Sequence, residues 1–118
     1  MKLSVLERVL LGGMMAGYKG SFTNLKLIRQ GREVISFSEQ ENKDLNIQQE
    51  GEQLKWNGEA SLKYQAVEIK LGETVLNVIK GMLQKLNDNA ELTEQHFSLY
   101  EKFVETGIET EQPNSSLN

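Results

Sequence analysis

The chain has no cysteine, one proline and one histidine among its 118 residues. Without cysteine it cannot carry a disulfide framework or a thiol nucleophile. A zinc site would need several imidazole or thiolate ligands, and His96 is the one such side chain in the sequence. The sequence therefore predicts a fold held together by its hydrophobic core, with no metal ion and no cofactor.

Long apolar runs are also missing. The apolar stretch near the start, residues 5–11, is interrupted by Glu7 and Arg8, so it is too short and too charged for a membrane span or a signal-peptide core. A chain of 118 residues fits one domain. We expect one cytoplasmic domain over residues 1–107, and a disordered tail over residues 108–118, which are polar and include Pro113.

The charge balance argues against nucleic acid as a partner. The 13 basic and 17 acidic residues give a net charge of −4, whereas nonspecific binding to a duplex needs an excess of Lys and Arg. Three helices followed by a hairpin is the order of a winged-helix domain, but the helix in the recognition position carries Glu39, Glu41 and Asp44. The negative charge of this helix would be repelled by the phosphates that line a DNA groove. A nucleic-acid-binding regulator is therefore the least favoured binding hypothesis.

The first part of the chain predicts three helices. Residues 1–12 form the first, with a capping box at Ser4 and an end at Gly12 and Gly13. Ser21 is predicted to cap a second helix that runs to about residue 34, and Ser38 a short third one. Helical spacing predicts the core-facing stripe of the first helix: Leu3, Leu6, Val9, Leu10 and Met14.

The second part predicts strands and then helices. From residue 45 apolar and polar residues alternate, which predicts a hairpin that turns at Gly51 and buries one face with Leu54 and Trp56, followed by a third strand over residues 64–70. A helix with a wide apolar stripe follows Gly72, and a last helix follows Thr93. The fold class is thus α+β, in the order α-α-α-β-β-β-α-α, with about five helices and a small, mainly antiparallel sheet. The last helix is predicted to face inward through Phe97, Tyr100, Phe103 and Val104.

Two groups of residues are candidates for binding. Met14, Met15 and Tyr18 lie where the first helix meets a glycine-rich connector, and they form the candidate contact surface for a partner protein. Trp56 is either part of the core or a binding anchor. Cationic side chains form the candidate contact for an anion, such as the phosphates of a nucleotide: Lys19, Lys26, Arg29 and Arg32.

The chain shows no catalytic motif. The glycines at positions 12, 13, 17 and 20 lie between helices and lack the GxGxxG and GK[ST] patterns of phosphate-binding loops. Glutamates are abundant, but they fall on helix caps, a turn and the tail, where solvated faces are the expected role. We therefore predict that the protein is not an enzyme.

Five segments of the sequence resemble a family of small proteins encoded by bacteriophages and prophages: residues 1–3 with 7–11, 25–29, 37–41, 49–51 with Trp56, and 96–103. The resemblance covers most of residues 1–106. Because that family has no assigned activity, no functional residue is carried over. The resemblance implies a viral accessory role in the cytoplasm of a bacterial host.

These observations lead to one main hypothesis and two alternatives to it. The main hypothesis is a non-enzymatic binding protein that engages a host or phage protein, for example to inhibit a host defence system. A homo-oligomer is compatible with it, because the wide apolar stripe predicted after Gly72 can also serve symmetric pairing. The first alternative is a protein that sequesters a nucleotide-like small molecule, and the second, less favoured one is a nucleic-acid-binding regulator.

Overall fold

The computed structural model describes residues 1–106, which form an α+β fold as predicted. A π-helical segment (Glu101–Glu105) continues the last helix, and 3-10 turns lie at Leu62–Tyr64 and Glu94–His96. The predicted disordered tail lies outside the described residues. In chain order the elements are β1 (Lys2–Leu3), α1 (Val5–Ala16), α2 (Phe22–Ile35), α3 (Glu39–Leu45), β2 (Gln48–Glu50), β3 (Gln53–Lys55), α4 (Gly58–Ser61), β4 (Val67–Glu68), α5 (Glu73–Asp88) and α6 (Phe97–Tyr100).

The caps predicted at three serines are confirmed. The Ser4, Ser21 and Ser38 hydroxyls each accept a hydrogen bond from the backbone amide three residues later. At Ser4 and Ser38 the glutamate carboxylate in turn accepts a hydrogen bond from the serine amide, which completes a capping box. These caps satisfy amides that have no partner inside the helix, so they fix where α1, α2 and α3 begin.

The strands pair differently from the prediction. Within the described residues there are two separate antiparallel pairs: β1 with β4, where Leu3 lies opposite Val67, and β2 with β3, where Gln49 lies opposite Leu54. The expected third strand therefore pairs with the start of the chain and not with the hairpin. Residues 1–3, predicted as helix, are free to pair because Ser4 is the N-cap and α1 begins only after it.

α1 continues through Gly12 and Gly13, so the prediction that these glycines end the first helix is wrong. The helix runs to Ala16 and is capped by Gly17. Each glycine in a helix costs about 1 kcal/mol relative to alanine. Burial of Met15, which is 2% exposed, is worth about 1.5–3 kcal/mol and holds this last turn in the core.

The core lies between α1, α2, α5 and the helical segment that begins at α6. Gly31 in α2 is buried there, and a Cβ at that position would stand 2.9 Å from the Met15 Cε and 3.1 Å from a Val75 methyl group. Glycine therefore lets α2 pack closely against α1 and α5. The fully buried hydrophobic side chains include Leu3, Leu11, Leu45, Ile79, Leu83, Leu99 and Phe103.

The predicted stripe of α5 is confirmed, whereas the inward face of the last helix is partly wrong. Val75, Ile79 and Leu83 are buried on α5. Phe97, predicted to face inward, is 60% exposed, and Leu99 takes its place in the core beside Phe103. The segment begins as a 3-10 turn and ends as a π-helix. Its side chains therefore do not follow the regular helical spacing on which the prediction rested.

Candidate interaction surface

An open trough runs along the outer side of α1, beneath the β2–β3 hairpin. It consists of two adjoining cavities of about 510 and 610 Å³ that share Val9, Gly13 and Leu54. One cavity extends toward α2 and the other toward the base of the hairpin and Trp56. We call this surface the α1 trough and define it by its apolar lining, which consists of Leu6, Val9, Leu10, Gly13, Leu54 and Trp56.

The floor of the trough is the side of α1 that the sequence predicted to face the core. Leu6 and Val9 are only half-buried and lie outside the core cluster, so that prediction is wrong for these two residues. It holds for Leu3, which is fully buried, and for Leu10 and Met14, which are half-buried and pack against the core. The fully core-facing side of the helix includes Leu11 and Met15. α1 is thus apolar on two sides, and one of them is open to solvent along the trough.

Gly13 forms an open stretch of this floor. A Cβ built on Gly13 would meet no described atom within 4 Å, so the packing of residues 1–106 does not require glycine there. Its neighbour Gly12 is almost as open, with a methyl group of Ile35 at 4.0 Å from the ideal Cβ. The backbone of α1 is therefore accessible to an approaching molecule at this point.

The hairpin forms the wall above the floor. All six residues of β2 and β3 are exposed, so the prediction that one face of the hairpin is buried is wrong. Gly51 makes the turn with φ of +63°, a conformation that favours glycine. Leu54 remains 38% exposed above the trough, and Trp56, half-buried, lies at the base of the hairpin.

The wall on the α2 side is basic. Arg29 and Arg32 are exposed and line the cavity on that side, and Lys26 is exposed three residues before Arg29 on the same helix. Within residues 1–106 none of these three cations makes an ion pair. Lys19, the fourth predicted anion contact, lines a different cavity with Tyr18. The structure therefore brings together Arg29 and Arg32, but not Lys19.

A buried ion pair fixes α1 against the basic wall. Arg8, 3% exposed, donates two hydrogen bonds to the Glu41 carboxylate, at 2.7 and 3.0 Å. It also donates to the carbonyls of Ile35, at 3.0 Å, and Ser36, at 2.7 Å, at the end of α2. The guanidinium lies 4.1 Å from the centre of the Phe37 ring. This one side chain thus joins α1, α2 and α3.

The charge of Glu41 is stabilised by these contacts. The hydrogen bonds from Arg8 lower the pKa of Glu41 below its ordinary value of 4.5, and the Ser38 amide adds to the effect, although burial opposes it. A carboxylate that is ionised and accepts two hydrogen bonds from an arginine has a structural role and is not available as a general base. The same contacts keep the Arg8 charge away from solvent, although Arg8 itself lines the trough cavity on the α2 side.

A second ion pair joins the start of α1 to the π-helical segment. The Lys102 ammonium donates to Glu7 Oε1 at 2.7 Å and to the Lys2 carbonyl at 2.8 Å. Burial alone would raise the pKa of Glu7, but hydrogen bonds from Lys102, Ser98 and the Ser4 amide outweigh it, so the pKa is lowered. The Glu7 carboxylate is therefore ionised and, like that of Glu41, has a structural role.

The predicted contact residues divide between the core and a second surface. Met15 is buried, so it cannot contact a partner and the prediction for it is wrong. Met14 and Tyr18 are half-buried and line adjoining cavities of about 330 and 430 Å³, both of which include Met82 of α5. The connector thus forms one apolar surface with α5, on which Met14 and Tyr18 remain candidate contacts.

His96 has a local structural contact. Its Nδ1 accepts a hydrogen bond from the Thr93 amide at 2.9 Å and so caps the 3-10 turn. Among residues 1–106, no three acidic or histidine side chains stand close enough together to hold a metal ion. The same range contains no helix that combines the length and the apolarity needed to cross a membrane.

Comparison with known proteins adds no relative. No protein-family model matches the chain, and no curated protein and no solved structure is significantly similar to it. The resemblance to phage-encoded proteins therefore remains a prediction. The function is argued from the residues of the α1 trough.

Proposed function

We propose that this chain is a non-enzymatic protein-binding module, phage-encoded, that engages a host or viral protein through the α1 trough. The observation that carries the proposal is the open apolar floor formed by Leu6, Val9 and Leu10 under the exposed Leu54. Partly exposed apolar side chains that line one concave surface are typical of interaction sites. Inhibition of a host defence protein is one form that such binding would take.

The arrangement of the ionisable groups supports binding rather than catalysis. The two best-buried carboxylates, Glu7 and Glu41, are held by Lys102 and Arg8 in contacts that connect helices. A general base needs a carboxylate whose lone pair faces the reacting atoms and whose pKa lies near the working pH. In both of these groups the pKa is shifted downward, away from that range.

The proposal is tested by a photo-crosslinking amino acid at position 54 or at position 55 of the full chain, expressed in bacterial cells. Successive residues of a strand point to opposite faces, so Lys55 is a matched control for Leu54. We expect crosslinked products of higher mass at position 54 and far fewer at position 55. Mass spectrometry would distinguish a foreign protein from a second copy of the chain.

A substitution in the floor completes the test. Val9→Glu places a charge in the trough without touching the buried side of α1, so it should abolish the crosslinks at position 54 while circular dichroism shows an intact fold. Equal crosslinking at positions 54 and 55, or crosslinks that survive Val9→Glu, would contradict the proposal.

One observation favours a second candidate, the sequestration of a nucleotide-like molecule. Arg29 and Arg32 line the same cavity of about 510 Å³, a volume within the range of small-ligand sites. Two adjacent guanidinium groups are suited to phosphate. A thermal-shift screen with a panel of nucleotides tests this candidate, since stabilisation that Arg29→Glu abolishes would support it.

A further inference from the structure

The two ends of the α1 trough differ in charge. At the α2 end, the lining of the cavity contains two arginines, Arg29 and Arg32, and one carboxylate that is uncompensated within residues 1–106, Glu33. Arg8 also lines this end, but Glu41 neutralises it. The α2 end is therefore positive even before the nearby Lys26 is counted.

The hairpin end of the trough carries no excess of positive charge. Its polar lining there consists of one carboxylate, Glu52, and three amides, Gln49, Gln53 and Gln95. Between the two ends the floor is apolar and continuous past Val9 and Gly13. A molecule that fills the trough thus meets aliphatic side chains along its length and guanidinium groups at one end only.

We infer that the α1 trough binds a protein segment that combines apolar side chains with carboxylates, and that the carboxylates lie at the α2 end against Arg29 and Arg32. The inference rests on the proposed function and adds the chemistry of the partner. Guanidinium groups pair with carboxylates through two parallel hydrogen bonds. The apolar face of the segment would lie on Val9, with Gly13 allowing its backbone to come close.

The shape of the trough favours a peptide segment over a small anion. A small ligand is usually enclosed over most of its surface, whereas here two cavities of about 510 and 610 Å³ join into one open surface. Amphipathic helices bind in apolar grooves of this kind, with charged residues at the edge setting orientation. A free nucleotide would use the cations but leave the aliphatic floor uncovered.

The test uses Trp56 as its reporter, because it is the one tryptophan of the chain and lines the trough. The probes are tryptophan-free amphipathic peptides of about 14 residues, with leucines at helical spacing. The first has glutamate at the polar positions, and the matched control has lysine at the same positions. Each is titrated into the full-length protein while Trp56 emission is followed at low and at high salt.

Three variants locate the binding. Arg29→Glu combined with Arg32→Glu reverses the positive end, and Leu54→Asp disrupts the apolar wall. Lys43→Glu, a charge reversal at an exposed position of α3 outside the trough lining, is the control. All four substitutions are at exposed positions, so unfolding curves should show that the fold is kept.

We expect the glutamate peptide to bind at least about tenfold more tightly than the lysine peptide, with an affinity that falls as salt rises. The arginine double variant should weaken binding about tenfold and Leu54→Asp should weaken it further, while Lys43→Glu leaves it unchanged. Equal binding of both peptides, or no effect of the arginine reversal, would overturn the inference.

Two other results separate this inference from the proposed function. If neither peptide binds while crosslinks at position 54 persist in cells, the acidic chemistry is wrong and the protein-binding function stands. If titration followed by Trp56 emission shows that ATP binds with higher affinity than the glutamate peptide, and Arg29→Glu removes ATP binding, the trough is a nucleotide site and the inference is wrong.

Discussion

Replacing Arg8 with leucine is expected to cost about 4 kcal/mol of unfolding free energy. The substitution deletes the two hydrogen bonds to Glu41 and leaves that carboxylate buried with only the amide and hydroxyl of Ser38 as described partners. It also removes the donors to the carbonyls of Ile35 and Ser36 at the end of α2. Each lost contact leaves behind a polar group that was desolvated when the chain folded.

The magnitude follows from these contacts. Breaking a buried ion pair by removing one partner costs about 3–5 kcal/mol, and an orphaned buried acceptor about 1–3 kcal/mol. The terms do not add fully, because the smaller leucine lets water reach the carbonyls. A domain of this size is stable by about 5–15 kcal/mol, so the variant should fold only marginally.

Urea denaturation followed by Trp56 fluorescence measures this loss, and a second variant keeps the test informative if Arg8→Leu fails to fold. Arg8→Lys retains the charge but not the bidentate hydrogen bonding to Glu41, so it should lose about half as much stability as Arg8→Leu. Repeating both measurements across pH also tests the direction in which stability changes with pH. Because the folded pKa of Glu41 is lowered from 4.5, its stabilising contribution is present above about pH 4.5 and disappears as pH falls through the folded pKa.

In Arg8→Leu the acid-induced loss should therefore be shallower than in the natural chain, because the largest cause of the lowered Glu41 pKa is removed. The reasoning is refuted if Arg8→Leu costs less than about 1 kcal/mol, which is the range of a surface pair. It is also refuted if Arg8→Lys recovers full stability, because a point charge alone would then account for the contact.

The remaining predictions concern two glycines and the second ion pair. Gly31→Ala should destabilise the fold by about 1–2 kcal/mol in urea denaturation, because the new methyl group overpacks a tight contact between helices. Gly13→Ala should stabilise the fold by about 1 kcal/mol in the same assay, because the site is open and alanine favours helix. A loss of stability in this variant would contradict the open site. Lys102→Met should cost about 1–2 kcal/mol, since the Glu7 carboxylate loses its cation. Lys85→Met, at an exposed position of α5, should cost little, and an equal loss in both lysine variants would contradict the role of the pair.

Local features of the fold could be predicted from the sequence. The caps at Ser4, Ser21 and Ser38 depend on neighbouring residues alone, so their chemistry is visible in the sequence. The stripe of α5 is equally local, because one helix with a single wide apolar side has one way to face a core.

Features that depend on distant contacts could not be predicted. β1 and β4 are two residues each and pair across most of the chain, and such short segments carry almost no periodic signal. The alternation of Leu54 and Trp56 does indicate a hairpin, but it does not show whether another element covers the apolar face. Here that face lies over a groove and not over a core.

The α1 trough was missed for a related reason, although the sequence contains a signal for it. Arg29 and Arg32 were identifiable as exposed cations of α2, but their position beside Leu54 depends on how the hairpin folds back. The signal lies in α1, where Leu6 and Val9 lie on one apolar side and Leu11 and Met15 on another. A surface helix needs only one apolar side, so the second side indicated a further contact.

Two features of the fold that reduce its stability meet at the trough. Gly13 costs about 1 kcal/mol against alanine without a described neighbour that requires it. An isolated two-stranded hairpin is marginal in water, and this one buries none of its six strand residues. Gly31 costs as much as Gly13 but permits close packing of the core. Packing therefore explains Gly31, whereas Gly13 and the hairpin are explained together if a partner covers the trough, because both then gain the contacts that the isolated chain does not supply.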